Sequence, residues 1–462
     1  MTNIGEDLSM KMKNRIGFVC FGEVNTPYDR LEIKHDHALT SLKILDSDIL
    51  DAGIVIDDKA YVAADSAIQR LLGRDMDCLI LCVAGWIPTH AVIRVTDAFR
   101  HTPMILWGLC GWYDGTHIVT TADQAGTTAI RPALEELDYR FKFVYSVMGK
   151  PEPIGEIASF AIACQAVARL RKSRIGTMGY RDMLLYGTQY EGMSLRGRIG
   201  VEVEPFEMLE MVQNLEKLDA AKIAEGIAFV KNSWVFQKEC DETVISAGVR
   251  YALAIGIKIE ERGYEAITLN DVDGMKKLLG FPPAMVFMLL DHFHGVQTVP
   301  ENDVMGSVTQ LMVSYATGQT AAYLEYYEFF QDSVLIGVPD FIPEAVTEGE
   351  TKVLPTAFGL LNTSLMNVSK VKTGKVTCSR LIYKKGKYVM HIYTGEARTP
   401  PDWEELGWGK PAPQLPGLEV VLESCTVKEF AQKVSSQHVI ICYGDHRETL
   451  ENLCSLLDIE VI

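Results

Sequence analysis

The sequence predicts an α/β protein with two Rossmann-like parallel-sheet domains, followed by a C-terminal, mostly-β barrel domain. Two observations predict this class. Short apolar runs alternate with helix-length segments over roughly the first 340 residues, and the pattern then changes to short alternating runs without a helical period. Apolar strands separated by helices are typical of parallel sheets that are covered on both faces. A length of 462 residues is enough for roughly two to four domains.

The first predicted domain spans residues 1–172 and contains three apolar runs that indicate buried strands. These runs are 16–21, 78–83 and 104–107. Helix-length segments at 63–72 and 91–99 separate them. An Ala- and Ile-rich segment, Ile154 to Lys172, is expected to close the domain as a helix.

The second predicted domain, residues 173–352, begins with the strand-like segment at Ser173. Its expected helices are 205–215, 220–231, 242–262 and 303–317. The last of these has the clearest pattern, because its apolar residues recur at three- and four-residue steps and Gly318 follows as a stop signal. Two β-type runs follow it, 321–329 and 333–337.

The third predicted domain, residues 353–462, has the pattern of a β meander. The run 375–383, the turn Lys384–Lys387 and the run 388–393 predict a hairpin. A long loop rich in Pro, Gly and Trp, 399–417, follows, and its aromatic residues favour a functional role. The chain then continues as helix, strand and helix.

Composition narrows the range of functions. Lys and Arg number 44 against 61 Asp and Glu, a net charge of −17, which disfavours binding to nucleic acid or to an anionic membrane. No apolar run approaches the roughly 18 residues that span a bilayer, and the first residues are polar. Ten scattered cysteines, several of them in apolar runs, are typical of buried, reduced thiols, so we expect a cytoplasmic protein.

Three common motifs are missing from the sequence: the glycine pattern of dinucleotide sites, the phosphate loop and the helical zinc-hydrolase signature. Two histidine pairs, His35 with His37 and His292 with His294, could chelate a metal if each segment were extended. Surface or hydrogen-bonded histidines are the simpler interpretation.

Three residues at the ends of predicted elements are stronger metal-ligand candidates. Glu301 stands just before the periodic helix, where capping alone would also explain a carboxylate. Glu325 lies within a strand-like aromatic run, and a charge there is costly unless it is paired or coordinated. His438 precedes an apolar strand, and α/β proteins place their sites at such sheet rims.

These residues also carry a family resemblance. The segments PENDVMGS (300–307) and QHVIICYG (437–444), with Glu325 between them, resemble the L-fucose isomerase and L-arabinose isomerase superfamily of aldose–ketose isomerases. The resemblance implies that Glu301, Glu325 and His438 bind a divalent cation, with Mn²⁺ as the first choice. It also implies that the two glutamates are catalytic. AGW (84–86) and MILWG (104–108) extend the resemblance into the first domain.

Further residues are expected to bind substrate. The candidates are Trp86, Gln437, Trp408, Trp403 and Glu23. Trp86 and Gln437 match family positions near the sugar, and aromatic faces suit sugar C–H surfaces. The sequence departs from the arabinose branch, which has an additional His ligand where Asp340 stands here. In this chain, either Asp340 or a water molecule is expected to take the coordination position of that histidine.

The resulting hypothesis is a metal-dependent isomerase of a free pentose or deoxyhexose that acts through an enediolate. Two alternatives stay open. The first is an isomerase of a phosphorylated or sulfonated sugar, with Arg181 and Arg380 as anion ligands. The second is a non-catalytic sugar-binding protein on the same scaffold. The resemblance further implies a homo-oligomer, such as a hexamer, in which the N-terminal domain of one subunit closes a neighbour's site.

Overall fold

The structure is a computed structural model, and it divides into two compact units. The described residues are 13–338, 340–356, 364–401 and 415–462. The N-terminal unit ends at Ala168, and the C-terminal unit runs from Arg169 to Ile462. The three domain boundaries expected from the sequence stay a prediction.

The N-terminal unit is built on a five-stranded parallel sheet of order β2-β1-β3-β4-β7. Its strands are β1 (Asn14–Phe21), β2 (Ser47–Val55), β3 (Cys78–Val83), β4 (Met104–Gly108) and β7 (Phe141–Tyr145), with a small hairpin of β5 (Trp112–Asp114) and β6 (His117–Val119). Its helices are α1 (Tyr28–Leu42), α2 (Val62–Leu71), α3 (Thr89–Thr96), α4 (Asp123–Glu136) and α5 (Ile154–Leu170). Strand β3 is buried along its whole length, as its apolar sequence predicts.

The strand order reverses between β1 and β3 in this sheet, and ligands bind at such switch points in doubly wound folds. The chain leaves the carboxyl ends of these two strands at Gly22–Glu23 and Gly85–Trp86, and the two exits are joined by a hydrogen bond from the Glu23 N–H to the Trp86 carbonyl at 2.8 Å.

A second parallel sheet, of order β12-β11-β8-β9, opens the C-terminal unit. Its strands are β8 (Arg174–Met178), β9 (Glu202–Phe206), β11 (Ala266–Leu269) and β12 (Gln297–Val299). The helices around it are α6 (Gly192–Arg198), α7 (Met208–Asn214), α8 (Ala220–Ser233), α9 (Glu242–Arg262), α10 (Ala284–His294), α11 (Val304–Thr317) and a π-helix, Asp271–Leu278. Helix α11 is buried almost throughout, because the barrel packs against it as well.

The remaining strands form a closed six-stranded barrel of order β17-β20-β13-β14-β19-β18, closed by pairing of β17 with β18. They are β13 (Ala322–Phe329), β14 (Ser333–Gly337), β17 (Gly374–Lys384), β18 (Lys387–Arg398), β19 (Gly417–Leu422) and β20 (His438–Tyr443). Strand β21 (Glu460–Val461) adds to β18, and β10 (Val235–Phe236), β15 (Lys352–Leu354) and β16 (Met366–Asn367) form a small sheet. Helices α12 (Val427–Lys433) and α13 (Arg447–Leu456) flank β20 in the chain.

The predicted fold class is confirmed: two parallel-sheet assemblies precede a closed barrel. The barrel also includes β13 and β14, which precede the change of sequence pattern near residue 340. All ten cysteines lie in the described residues and are free thiols. No helix in the described part of the chain is long and apolar enough to cross a membrane.

Candidate metal centre

Glu301, Glu325 and His438 lie together in the C-terminal unit. One ligand atom from each falls within 4.8 Å of the others. The His438 Nε2 atom is 3.1 Å from Glu301 Oε2 and 3.5 Å from Glu325 Oε1. All three side chains are largely withdrawn from solvent, with His438 only 2% exposed. Their assignment as ligands and catalytic groups stays a prediction.

Glu301 reaches the centre because the chain makes a left-handed turn directly after β12. Both Glu301 and Asn302 have positive φ angles, 62° and 51°. Asn tolerates this conformation, whereas Glu rarely adopts it, and such strain clusters at functional sites. The Asn302 amide donates to the Met178 and Tyr180 carbonyls, at 3.2 and 2.8 Å, and the Glu301 N–H donates to the Asp271 carboxylate. These bonds hold the strained turn.

Asp303, and not Glu301, caps helix α11. Its carboxylate accepts a hydrogen bond from the Gly306 N–H at 2.9 Å, which is the standard N-cap arrangement. The sequence offered capping as a sufficient explanation for Glu301. That explanation is wrong, because the left-handed turn points Glu301 to His438 while Asp303 takes the cap position.

The Asp303 carboxylate also organises the residues behind the centre. It lies 3.2 Å from His438 Nδ1, accepts a bond from the Tyr323 hydroxyl at 3.0 Å and receives a two-pronged contact from Arg380 at 2.6 and 3.0 Å. Burial alone would raise the pKa of Asp303, but Arg380 and His438 outweigh it and hold that pKa well below its usual value. A carboxylate on one ring nitrogen fixes the imidazole and leaves the other nitrogen for a metal.

Sequence reasoning missed this supporting group. Arg380 was expected only as an anion ligand for a charged sugar, yet its guanidinium is buried and engaged by Asp303. Arg380 lies 77 residues from Asp303, and no local pattern connects them. The available signal was Asp303 itself, an acidic residue directly before the periodic helix.

Glu325 and His438 meet because they are direct partners across two antiparallel barrel strands. The register of β13 and β20 places Glu325 opposite His438. Opposed residues on one face of a sheet have Cβ atoms about 5 Å apart, close enough to share an ion. The barrel therefore supplies two of the three candidate ligands from a single cross-strand pair.

The centre carries surplus negative charge. Burial would lower the pKa of His438, but Asp303, Glu301 and Glu325 outweigh burial and raise it to about 10. Burial raises the pKa of Glu301, and Glu325 and Asp303 add to this, although His438 opposes them. In the absence of a metal, His438 is therefore protonated, and its positive charge occupies a position that also favours a metal cation. Two carboxylate oxygens and one imidazole nitrogen suit a hard or borderline divalent ion, so the residues fit the predicted Mn²⁺.

Asp340 is close to the centre but outside the three-residue group. Burial raises its pKa to about 6; Lys276 opposes this, and Glu325 and Glu301 add to it. Gln437 also lies at the centre, with its amide nitrogen 3.4 Å from Glu301 Oε2 and 3.0 Å from His438 Nε2. Asp340 as an additional ligand and Gln437 as a substrate contact stay predictions.

Two other expected substrate residues belong to the N-terminal unit. Glu23 and Trp86 stand at the switch point of the N-terminal sheet, and Trp86 is 38% exposed. Trp403 and Trp408 fall outside the described residues. Arg181 stacks over the Tyr186 ring at 5.0 Å.

Neither histidine pair has the extended backbone that chelation would require. His35 and His37 lie on α1, and His292 and His294 lie on α10. Residues two apart on a helix point in different directions. His35 instead contacts Asp36 and Asp51, and His292 stacks on Phe229 at 3.7 Å. These contacts fit the simpler interpretation, in which the histidines lie at the surface or are hydrogen-bonded.

Fold and site define an α/β protein in which the closed barrel and the second parallel sheet together supply a candidate site for a divalent cation. Residues 318–462 match the family model described as L-fucose isomerase, C-terminal domain. The matched segment contains Glu325 and His438, and the match supports membership of the fucose/arabinose isomerase superfamily. It indicates a sugar isomerase. No curated protein matches the chain.

Proposed function

We propose that the protein is a metal-dependent aldose–ketose isomerase that acts on a free pentose or deoxyhexose. The observation that carries this proposal is the meeting of Glu301, Glu325 and His438 at one buried point. The family match over residues 318–462, which contains Glu325 and His438 but not Glu301, also supports it.

The reaction needs a proton to move from C2 of the aldose to C1, through an enediolate. A divalent cation held by Glu301, Glu325 and His438 would stabilise the negative charge that develops on the sugar oxygens. One of the two glutamates takes the C2 proton and returns it to C1, and the other assists proton movement between the oxygens. Asp303 keeps His438 oriented throughout, because it holds Nδ1.

Burial of the centre supports this assignment. Glu301 is 8% exposed, so its carboxylate acts in a poorly solvated environment. Charge–charge interactions are stronger there than in water, and the proton is shielded from exchange. The contacts of Gln437 with Glu301 and His438 support its proposed role of binding a sugar hydroxyl.

The test is a panel of aldoses with and without Mn²⁺, read by ketose formation. Glu325→Gln should lower turnover by roughly a hundredfold or more, the usual effect of removing a general acid or base. Glu328→Gln is the matched control, because Glu328 lies on the same strand but is exposed. Full activity of Glu301→Gln or Glu325→Gln would refute the site.

The same panel separates the alternatives. Turnover restricted to phosphorylated or sulfonated sugars would establish an anionic substrate, although Arg380 is already paired with Asp303 and so does not favour one. Calorimetric binding of a sugar without ketose formation, with Mn²⁺ present, would establish a binding protein. The homo-oligomer, its hexameric form and the cytoplasmic location stay predictions.

A further inference from the structure

Asp271 is a buried carboxylate that lies next to the turn carrying Glu301. It follows β11, begins the π-helix and is only 2% exposed. Its Oδ1 atom accepts a hydrogen bond from the Glu301 N–H. Strands β11 and β12 pair in parallel, so their carboxyl ends bring together two residues that are 30 apart in the chain. Short π-helical segments are rare and are frequently found at functional sites.

The backbone of Glu301 needs support, because its φ angle of 62° is one that glutamate rarely adopts. Such a conformation persists only where neighbouring groups hold it. The side-chain amide of Asn302 holds the second residue of the turn through the Met178 and Tyr180 carbonyls. Asp271 holds the first residue, which is the one whose carboxylate lies at the candidate ion site.

The Glu301 N–H depends on Asp271, because it forms no hydrogen bond to a backbone carbonyl within the described part of the chain. A buried N–H that loses its acceptor is costly. The bond to Asp271 fixes the peptide plane that precedes the Glu301 Cα atom, and rotation about N–Cα from that plane sets the direction of the side chain. With this plane held, Glu301 Oε2 lies 3.1 Å from His438 Nε2. Relaxation of the turn to a negative φ would move the Glu301 carboxylate away from His438.

Asp273, two residues further along the same π-helix, provides a comparison. Its carboxylate accepts the N–H of Met183 at 2.9 Å, and Met183 is also a non-glycine residue with a positive φ angle, 44°. The Asp273 carboxylate also pairs with Lys277 at 2.6 Å. Both aspartates therefore hold a left-handed residue through its N–H, but only Asp271 holds one that is a candidate metal ligand.

We propose that Asp271 is a positioning residue of the candidate metal centre. By accepting the Glu301 N–H, it keeps the turn left-handed and directs the Glu301 carboxylate at the ion and at the substrate proton. Asp271 itself is not one of the three residues that could share the ion. This role rests on the proposed function, because Asp271 acts there through Glu301.

Three substitutions separate the position of the acceptor from its charge. Asp271→Asn keeps an acceptor oxygen in place without the charge, Asp271→Glu keeps the charge but moves the acceptor by a methylene group, and Asp271→Ala removes the acceptor. In calorimetric titration of the full chain with Mn²⁺, Asp271→Ala should lose about tenfold or more in affinity, the usual effect of removing a partner that orients a metal ligand. Asp271→Glu should lose affinity as well, whereas Asp271→Asn should lose less than about threefold, because its acceptor stays in place.

Turnover at saturating Mn²⁺ is the second readout, and a loss of stability alone would not change it in this way. On an aldose that the wild type converts, Asp271→Ala should lower kcat by roughly ten- to hundredfold, since a misdirected carboxylate transfers the proton poorly. KM should change little, and Asp271→Asn should restore most of kcat. Circular dichroism checks that each variant is folded, and the comparison of Asp271→Asn with Asp271→Glu decides the matter if Asp271→Ala does not fold.

Asp273→Ala is the matched control, because it removes the same kind of bond on the same π-helix without touching Glu301. It should leave Mn²⁺ affinity and kcat unchanged. Equal Mn²⁺ affinity in the wild type and Asp271→Ala, or a larger loss in Asp271→Asn than in Asp271→Glu, would overturn the role of Asp271 while leaving the proposed function intact. A wild type that binds no Mn²⁺, or forms no ketose from any aldose, would overturn the proposed function itself and this role with it.

Discussion

Asp303 holds four groups in place with one carboxylate, and its charge is the critical property. It caps α11, pairs with Arg380, accepts from Tyr323 and contacts His438. Asp303→Asn keeps the ability to cap but removes the charge opposite a buried guanidinium. We expect a loss of about 3–5 kcal/mol in the free energy of unfolding and a ten- to hundredfold loss in Mn²⁺ affinity, measured by urea unfolding and calorimetry.

The double variant Asp303→Asn with Arg380→Met separates the two roles. Removing the unpaired guanidinium should restore part of the stability, because the cost lies in the uncompensated buried charge. Metal affinity should stay low, because His438 has still lost its charged partner. Recovery of both properties together would show that Asp303 acts through stability alone.

Proton release should accompany metal binding at His438. In the metal-free protein its pKa is raised to about 10, so below that pH a metal must displace a proton from the ring. Apparent Mn²⁺ affinity should therefore rise with pH, by about tenfold per unit between roughly pH 6.5 and 8.5. Calorimetry in buffers of different ionisation enthalpy counts the protons, and a pH-independent affinity would contradict the charge balance described here.

At the scale of elements, the start of α11 must pass close to the barrel. A Cβ on Gly306 would come within 2.7 Å of the Tyr323 ring, 2.8 Å of Asp303 Oδ2 and 2.9 Å of Arg380 Nη1. Gly306→Ala should therefore lower the free energy of unfolding by about 1–3 kcal/mol and weaken Mn²⁺ binding.

Gly197→Ala is the control for this substitution. Gly197 lies inside helix α6, and a Cβ there meets nothing within 4 Å. This change should stabilise the protein by up to about 1 kcal/mol, since alanine favours the helix. If the two alanine variants behave alike, crowding at the α11 start is not what the glycine relieves.

The turn between β12 and α11 gives a further prediction. Asn302 contributes both a left-handed backbone and two amide bonds to the Met178 and Tyr180 carbonyls. Asn302→Gly keeps the backbone freedom and loses the bonds, whereas Asn302→Ala loses both. Stability to urea should fall from wild type to Gly to Ala, by about 1–3 kcal/mol in total. A more stable Ala variant would show that the turn is not strained.

Much of this element structure could be predicted. The three- and four-residue apolar steps located α11 to within one residue, and the hairpin of β17 and β18 followed from alternation around Lys384–Lys387. For the histidine pair at 35–37, the sequence favoured surface or hydrogen-bonded side chains over chelation of a metal. Leu31, Ala38 and Leu42 recur on one face of α1 and are buried, which already indicated a helix.

The supporting contacts could not be predicted, for a physical reason. Glu301 and Asp303 are equally placed in sequence to cap α11, and the backbone turn that decides between them depends on Asn302 reaching the Met178 and Tyr180 carbonyls, more than 120 residues away. Periodicity reports which side of an element is buried, but it carries no information on which distant side chain lies there.

At the scale of the whole molecule, the candidate ligands come from separate structures within the C-terminal unit. Glu301 follows a strand of the parallel sheet, and Glu325 and His438 belong to the barrel. A bound ion would therefore link sheet and barrel. Mn²⁺ at about 100 times its Kd should stabilise the protein by about 2.7 kcal/mol, and a chelator should reverse this shift in thermal unfolding. An equal shift in Glu325→Gln, compared with Glu328→Gln, would place the ion elsewhere.

The closure of the barrel has a consequence for how this protein tolerates change over evolution. Successive side chains of a strand face opposite sides, so one residue added within β13 or β20 would turn Glu325 or His438 away from its partner. The one irregularity in the described pairing of β13 with β14 lies between Tyr326 and Glu328, beyond Glu325, so it leaves the pairing of Glu325 with His438 intact. Relatives should therefore vary in length at hairpin tips such as Lys385–Gly386. The number of residues in β13 and β20 should remain constant even where most of the residues in them differ.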